Sequence, residues 1–263
     1  MDVLNYTLRA ELHTRKDEGV AQFFLFEREY TIKYLGKRGE YAAYYDPELK
    51  MHFENKSALS FVYEIEVNNN NFLLSSKMEK ATDFVRRVNY MFNWMQLQVS
   101  LQGEIRSIEN KNELKKEWNG IKKILLSDYN GQTVGTYLAE ADLRLEDEDA
   151  LHSSIKQYFN FGLLFPPIPV HHGNDWQDRG LIEFSEYEGE KFESLITFNR
   201  EEENRRIYSL DIMAIEESDI QLEQYEGSVI MCKNEHLPLS AIVEVVFRRG
   251  DVANQWYFKL ARN

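Results

Sequence analysis

The chain has 263 residues, of which 43% are hydrophobic and 13% aromatic, a composition that excludes a disordered protein and allows a sizeable core. Its 44 acidic and 31 basic residues give a net charge of -13, which disfavours nucleic acid and anionic membrane surfaces as partners. The single cysteine, Cys232, excludes an internal disulfide and a thiolate metal cluster within one chain.

The first part of the chain, residues 1–76, is predicted to be a β meander. Residues 4–12 and 59–67 alternate apolar and polar side chains, and residues 23–35 carry large apolar groups on both faces. Turn-forming residues separate these stretches, so consecutive strands are expected to pair antiparallel.

Helical periodicity follows in residues 77–161, with a β-hairpin inserted between the first and second helices. A proline-rich connector, residues 162–177, then leads to a second β meander over residues 178–263, in which Gly227 is expected to separate two strands. The predicted fold class is α+β: one domain, residues 1–263, in which a large curved antiparallel sheet resembling a half-barrel wraps around or packs on two or three central helices.

The connector contains the stretch LFPPIPVHHGNDW, residues 164–176, which offers metal-ligating groups in His171, His172 and Asp175. A metal-dependent hydrolase that uses them is one alternative for the function. Adjacent histidines on an extended segment point in opposite directions, however, whereas zinc needs three or four convergent ligands. The prolines and Trp176 favour a rigid join between two parts of the fold. We therefore predict no catalytic residue, no metal site and no cofactor.

Aromatic residues are concentrated in the first 45 positions. A sheet with one face in water does not need large apolar groups on both faces of a strand, so some of them favour a hydrophobic groove that binds a ligand or partner. The residues predicted to form this apolar face are Phe24, Phe26, Tyr30, Tyr34, Tyr44 and Phe61.

Two segments carry a resemblance to a known family. The connector matches the pattern P-x-x-P-V-x-x-G-x-x-W through Pro166, Pro169, Val170, Gly173 and Trp176. Residues 225–247 are similar to the strand, turn and proline pattern near the C-termini of the same proteins. The family consists of uncharacterised bacterial proteins, among them lipoprotein-like proteins of Bacteroidota. The resemblance implies a lipoprotein-carrier-type β half-barrel with an apolar concavity, and it carries over no catalytic residue.

We therefore expect a non-enzymatic binding protein whose apolar, aromatic concave surface binds a protein partner or a hydrophobic ligand. An adaptor, chaperone or immunity-like role, associated with a bacterial secretion system, suits such a chain. A structural subunit of an oligomer is a further alternative beside the hydrolase. No membrane insertion is expected. The expected location is the cytoplasm if Met1 is the native start, and the cell envelope if the sequence is trimmed.

Overall fold

A computed structural model of the chain describes residues 3–16, 19–46, 51–74, 84, 87–88, 92–158, 163–169, 172–183, 191–214, 220–233, 235 and 237–263. Within these residues, eleven strands form one sheet. The strands are β1 (Val3–Lys16), β2 (Gly19–Asp46), β3 (Met51–Leu74), β4 (Trp94–Ser100), β5 (Ile105–Ile108), β6 (Gln177–Glu183), β7 (Lys191–Glu202), β8 (Arg205–Ala214), β9 (Gln221–Cys232), β10 (Pro238–Arg249) and β11 (Val252–Arg262).

The sheet joins two meanders through the first and last strands. Its order is β5-β4-β3-β2-β1-β11-β10-β9-β8-β7-β6, and every neighbouring pair is antiparallel, which confirms the predicted antiparallel sheet. β1 and β11 pair from Tyr6 opposite Arg262 to Lys16 opposite Val252. The two ends of the chain therefore lie in the middle of the sheet, and β5 and β6 form its edges.

The predicted α+β class, with the sheet around two or three central helices, is wrong. The described residues form mainly one large antiparallel sheet with few helices. The helices α1 (Lys111–Asp128), α2 (Gln132–Glu146) and α3 (Glu148–Tyr158) all lie in the connection between β5 and β6. The physical reason is the β1–β11 ladder, which merges the two meanders into one sheet and leaves the helices as the link between its edges. None of the described helices is long and apolar enough to span a membrane.

Alternation along the strands divides the sheet into a core face and an outward face. In β1 the core positions are Tyr6, Leu8 and Ala10, all fully buried. Trp256 of β11 is 7% exposed and stacks on Phe258, with ring centroids 5.4 Å apart. Complete burial of one such aliphatic or aromatic side chain contributes about 1.5–3 kcal/mol.

The helices add their apolar sides to the same core. In α1, Trp118 is 2% exposed, and its indole Nε1 donates a hydrogen bond to Asp142 Oδ1 of α2 at 2.7 Å. Lys122 of α1 pairs with the same carboxylate, and Lys115 Nζ lies 2.6 Å from Glu146 Oε2. These contacts fix α1 beside α2.

Strands β2 and β3 continue past their neighbours. Among the described pairings, β2 pairs with β1 only as far as Lys33, and β3 pairs with β4 only from Ser60. In the described pairings, residues 40–46 and 51–57 pair only with each other, as a two-stranded ribbon. At about 3.3 Å per residue, the ribbon is about 23 Å long. We call this segment the β2–β3 ribbon.

Candidate functional site at the aromatic end of strands β2 and β3

Four aromatic side chains meet where the β2–β3 ribbon leaves the sheet. Tyr34 lies opposite Tyr63 in the β2–β3 register, and their ring centroids are 5.9 Å apart. Phe61 lies 6.1 Å from Tyr34 and 6.3 Å from Tyr63. Phe165, from the proline-rich connector, lies 5.9 Å from Tyr63. We call these four residues the aromatic cluster.

Strand geometry explains this position. Phe61 and Tyr63 are two residues apart on β3 and so lie on the same face. On β2 the register shifts between Tyr34 and Gly36, so that Leu35 has no partner on β3. Gly36 has φ +141°, a conformation that residues with a Cβ rarely adopt. A bulge of this kind bends its strand, and it lies shortly before the β2–β3 ribbon begins.

The cluster has a buried base and an accessible rim. Tyr63 and Phe165 are buried, while Tyr34 and Phe61 are half-buried. The ammonium of the exposed Lys37 lies 5.6 Å from the centroid of the Phe61 ring, within range of a cation–π interaction. The rim therefore combines two rings with a cation.

Burial also raises the pKa values of the cluster's phenols. Desolvation raises the pKa of Tyr63 above its ordinary value, and the neighbouring Tyr34 and Glu235 raise it further. Desolvation likewise raises the pKa of Tyr34. Both groups remain protonated at neutral pH and present hydrogen-bond donors among apolar rings.

The end of the sheet beside the cluster is tied together by polar contacts. The hydroxyl of Tyr6 donates to the carbonyl oxygen of Pro238 at 2.8 Å, which links β1 to the start of β10. Arg262 Nη1 lies 2.5 Å from Glu235 Oε2, so the last strand is held to the β9–β10 turn. The cluster therefore sits on a part of the fold where both halves of the chain meet.

The structure describes the side chains of four of the six predicted surface residues, and these four lie in two environments. Tyr34 and Phe61 come together in the aromatic cluster. Phe26 and Tyr30 are in the core, 6% and 0% exposed. The guanidinium carbon of Arg28, which is buried on the same face, lies 4.3 Å from the centroid of Phe26.

For the other two predicted residues, only the backbone is described. Phe24 pairs with Leu74, and Tyr44 pairs with Phe53 in the β2–β3 ribbon. Their side chains lie outside the described part of the structure. Whether the six residues bind a ligand stays a prediction.

The sequence reasoning missed Tyr63 and Phe165 as members of the cluster. The sequence could have predicted Tyr63, because the alternation that places Phe61 on one face of the strand places Tyr63 on the same face. Phe165 had no local signal, since it reaches the cluster only through the course of the connector.

The histidine pair of the connector does not form a described metal site. His171 lies outside the described residues. The ring nitrogens of His172 are both engaged: Nδ1 lies 2.7 Å from the carbonyl oxygen of Gly173, and Nε2 lies 2.6 Å from the hydroxyl oxygen of Tyr208. Asp175 is exposed. No group of three or more His, Cys, Asp or Glu suited to a metal ion occurs among the residues that the structure covers.

Instead, His172 packs among aromatic rings. Its ring centroid lies 4.9 Å from that of Trp176 and 5.2 Å from that of Phe198. The backbone N–H of Phe198 also donates to the carbonyl oxygen of Trp176 at 3.1 Å. This segment therefore docks the connector on β7 and β8.

Comparisons with known proteins add little to this description. No protein-family model matches the sequence, and no curated protein matches it. A solved structure described as "lipid-protein interactions in lipovitellin" gives a TM-score of 0.45 at 9% identity. The alignment covers 99% of this chain and 25% of that chain, so this protein spans about a quarter of its length. A likeness at this level supports no conclusion about function.

Proposed function

We propose that the protein is a non-enzymatic binding protein, and that it binds an apolar segment of a partner protein at the aromatic cluster and along the β2–β3 ribbon. One observation carries the proposal: the accessible rim of the cluster, Tyr34 and Phe61, stands at the base of a two-stranded extension of the sheet.

The ribbon itself favours a protein partner. An isolated two-stranded hairpin is marginally stable in water, because it cannot bury enough apolar surface. Its strands pair with each other over residues 40–46 and 51–57, which leaves one backbone edge of each strand without a strand neighbour in the described pairings. Such an edge accepts an added strand from another chain. The ribbon sequence also contains Tyr41, Tyr45 and Phe53, and aromatic residues are enriched in interfaces.

The groups at the cluster suit binding. They are apolar rings, neutral phenols whose pKa is raised by burial, and the ammonium of Lys37. An apolar partner side chain that inserts between Tyr34 and Phe61 gains contact area at little entropic cost, since both rings are already held by neighbouring rings. A cytoplasmic adaptor, chaperone or immunity-like role remains a prediction of the sequence.

The test compares three versions of the protein as bait in extracts of its own host, with cross-linking and mass spectrometry. The versions are the wild type, Phe61→Ala and the control Leu181→Ala. Leu181 is 72% exposed on the edge strand β6, far from the cluster in the strand order. The proposal expects one stoichiometric partner that is retained by the wild type and the control and is lost from Phe61→Ala.

The decisive measurement uses that partner in purified form. Its affinity should fall at least tenfold on Phe61→Ala and remain unchanged on Leu181→Ala. Equal affinity for both variants would contradict the proposal. Native mass spectrometry of the purified protein distinguishes partner binding from the alternative that the cluster binds a small apolar ligand. In that alternative, the wild type carries the added mass of the ligand and Phe61→Ala does not.

A further inference from the structure

A cleft of about 440 Å³ opens on the face of the sheet opposite the core. It lies across four neighbouring strands, β1, β11, β10 and β9. The core positions of β10 are Ala241, Val243, Val245 and Phe247, so the cleft residues Val246 and Arg248 point the other way. The lining residues are Arg15, Glu223, Gln224, Val246, Arg248, Asp251, Ala253 and Gln255.

Two register shifts border this cleft. One lies between Thr14 and Arg15 in the β1–β2 ladder. The other lies in the β9–β10 ladder, where Val246 pairs with Gln224 and Phe247 pairs with Leu222, so that Glu223 is the extra residue. Bulges bend a strand and increase its local twist, and they are frequent beside binding sites. Here they account for a concavity on an otherwise outward face.

The strand register places two arginines on either side of an alanine. Arg15 pairs with Ala253, and Ala253 pairs with Arg248. Neighbouring strands are about 4.8 Å apart, so the Cα atoms of the two arginines are about 10 Å apart across Ala253. Ala253, which is 9% exposed, presents only a methyl group between them. Two long arginine side chains that start at this spacing can direct both planar guanidinium groups to one oxyanion.

The charges of the cleft are unevenly paired. Arg248 contacts Glu223 with both ends of its fork, Nε to Oε1 at 2.5 Å and Nη2 to Oε2 at 3.3 Å. The carboxylate of Glu223 thus occupies Arg248, and Asp251 also lines the cleft. None of the described residues forms an ion pair with Arg15.

We propose that this cleft binds a small anionic molecule, with its carboxylate or phosphate group held between Arg15 and Arg248. The incoming oxyanion displaces Glu223 from Arg248. The side-chain amides of Gln224 and Gln255 bind the remaining polar atoms, and Val246 contacts the apolar part. The proposal is independent of partner binding at the aromatic cluster, which lies toward the opposite ends of the strands.

Isothermal titration calorimetry in low salt, with inorganic phosphate and with citrate as separate probes, tests the proposal and distinguishes the two sources of the oxyanion. At least one probe should bind the wild type with a dissociation constant below the millimolar range. Arg15→Gln should weaken that binding at least tenfold, since it removes a charge-assisted contact. Glu223→Gln should tighten it several-fold, because a competing carboxylate is lost.

Arg9→Gln is the matched control. Arg9 lies outward on the same strand as Arg15, forms an ion pair with Glu11 at 2.6 Å, and is outside the cleft. Its replacement should leave binding unchanged, and thermal unfolding should show that all variants are folded. The proposal is overturned if neither probe binds the wild type, if Arg15→Gln binds as well as the wild type, or if Arg9→Gln loses as much affinity as Arg15→Gln.

Discussion

The hydroxyl of Tyr208 hydrogen-bonds the imidazole of His172 across 2.6 Å, and this contact fastens the connector to β8. The carbonyl oxygen of Gly173 can only accept, so Nδ1 of His172 carries a hydrogen, and in that tautomer Nε2 accepts from the Tyr208 hydroxyl. A histidine whose two ring nitrogens are both hydrogen-bonded in this way has a structural role.

Removal of the Tyr208 hydroxyl should destabilise the protein. Tyr208→Phe keeps the buried ring and leaves Nε2 of His172 without its donor, so the free energy of unfolding should fall by about 1–2 kcal/mol. Urea denaturation followed by tryptophan fluorescence measures the change. Tyr257→Phe, on the outward face of β11, is the control and should change stability by less than about 0.5 kcal/mol. Equal effects of the two substitutions would show that the hydroxyl contact is not structural.

Alkaline pH should unfold the protein through its buried tyrosines. Burial raises the pKa of Tyr208 from 10.0 to about 12. It raises the pKa of three further tyrosines still more: Tyr6, Tyr63 and Tyr225. The unfolded chain releases these protons near pH 10, whereas the folded state retains them. Stability is therefore complete below about pH 10 and decreases as the pH rises through 12.

Absorbance of tyrosinate and circular dichroism, recorded together from pH 9 to 13, check this expectation. The buried tyrosines should ionise above pH 10, in the same step in which the circular dichroism signal of the β-sheet is lost. Tyr208→Phe should make the loss of stability between pH 10 and 12 shallower. Ionisation of all tyrosines near pH 10 with an intact β signal would rule out the proposed linkage.

The carboxylate of Asp142 should support the pairing of α1 and α2. Asp142→Ala leaves the buried indole N–H of Trp118 without an acceptor, which should cost about 1–2 kcal/mol. The ion pair with Lys122 is partly exposed and adds less than about 1 kcal/mol. Chemical denaturation measures the loss, and Asp149→Ala, an exposed position at the start of α3, provides the control.

The pH dependence of Asp142 follows from its partners. Burial alone would raise the pKa of this carboxyl, but hydrogen bonds from Lys122 and Trp118 lower it below its usual value. The stabilisation is thus present above the unfolded pKa near 4 and is lost as the pH falls below it. The difference in stability between the wild type and Asp142→Ala should therefore shrink between pH 5 and 3. A constant difference would show that packing, and not the charge, is responsible.

Local periodicity was sufficient to predict many of the elements. The apolar stretches at 4–12, 23–35 and 59–67 lie inside β1, β2 and β3. Of the helices predicted within 77–161, those after the inserted hairpin correspond to α1, α2 and α3, and most of the helix predicted from residue 77 lies outside the described residues. Gly227, expected to divide two strands, lies inside the single strand β9 instead. There a Cβ would lie 2.6 Å from Cβ of Leu210, so the glycine permits close strand contact and does not mark a turn.

The features that local periodicity did not predict depend on pairings between residues that are distant in the sequence. No local pattern links Tyr6 to Arg262, yet this ladder merges the two meanders and makes the fold one sheet. The same holds for the aromatic cluster, in which Tyr34 and Phe61 are neighbours by strand pairing and Phe165 comes from the connector. The anion cleft depends on three strands in register, with Arg15 and Arg248 separated by more than two hundred residues of sequence.

The turn between β4 and β5 should not tolerate a side chain at Gly103. A Cβ at this position would lie 2.1 Å from the carbonyl oxygen of Pro166, and the residue has φ +87°. Gly103→Ala must therefore displace the backbone of the connector as well as strain the turn, which should cost about 2 kcal/mol or more.

Gly135→Ala in α2 is the matched control, because nothing lies within 4 Å of its Cβ position and alanine favours a helix. It should stabilise the protein by about 0.5–1 kcal/mol, and urea unfolding of both variants should give shifts of opposite sign. A Gly103→Ala variant as stable as the wild type would mean that Pro166 does not pack against this turn.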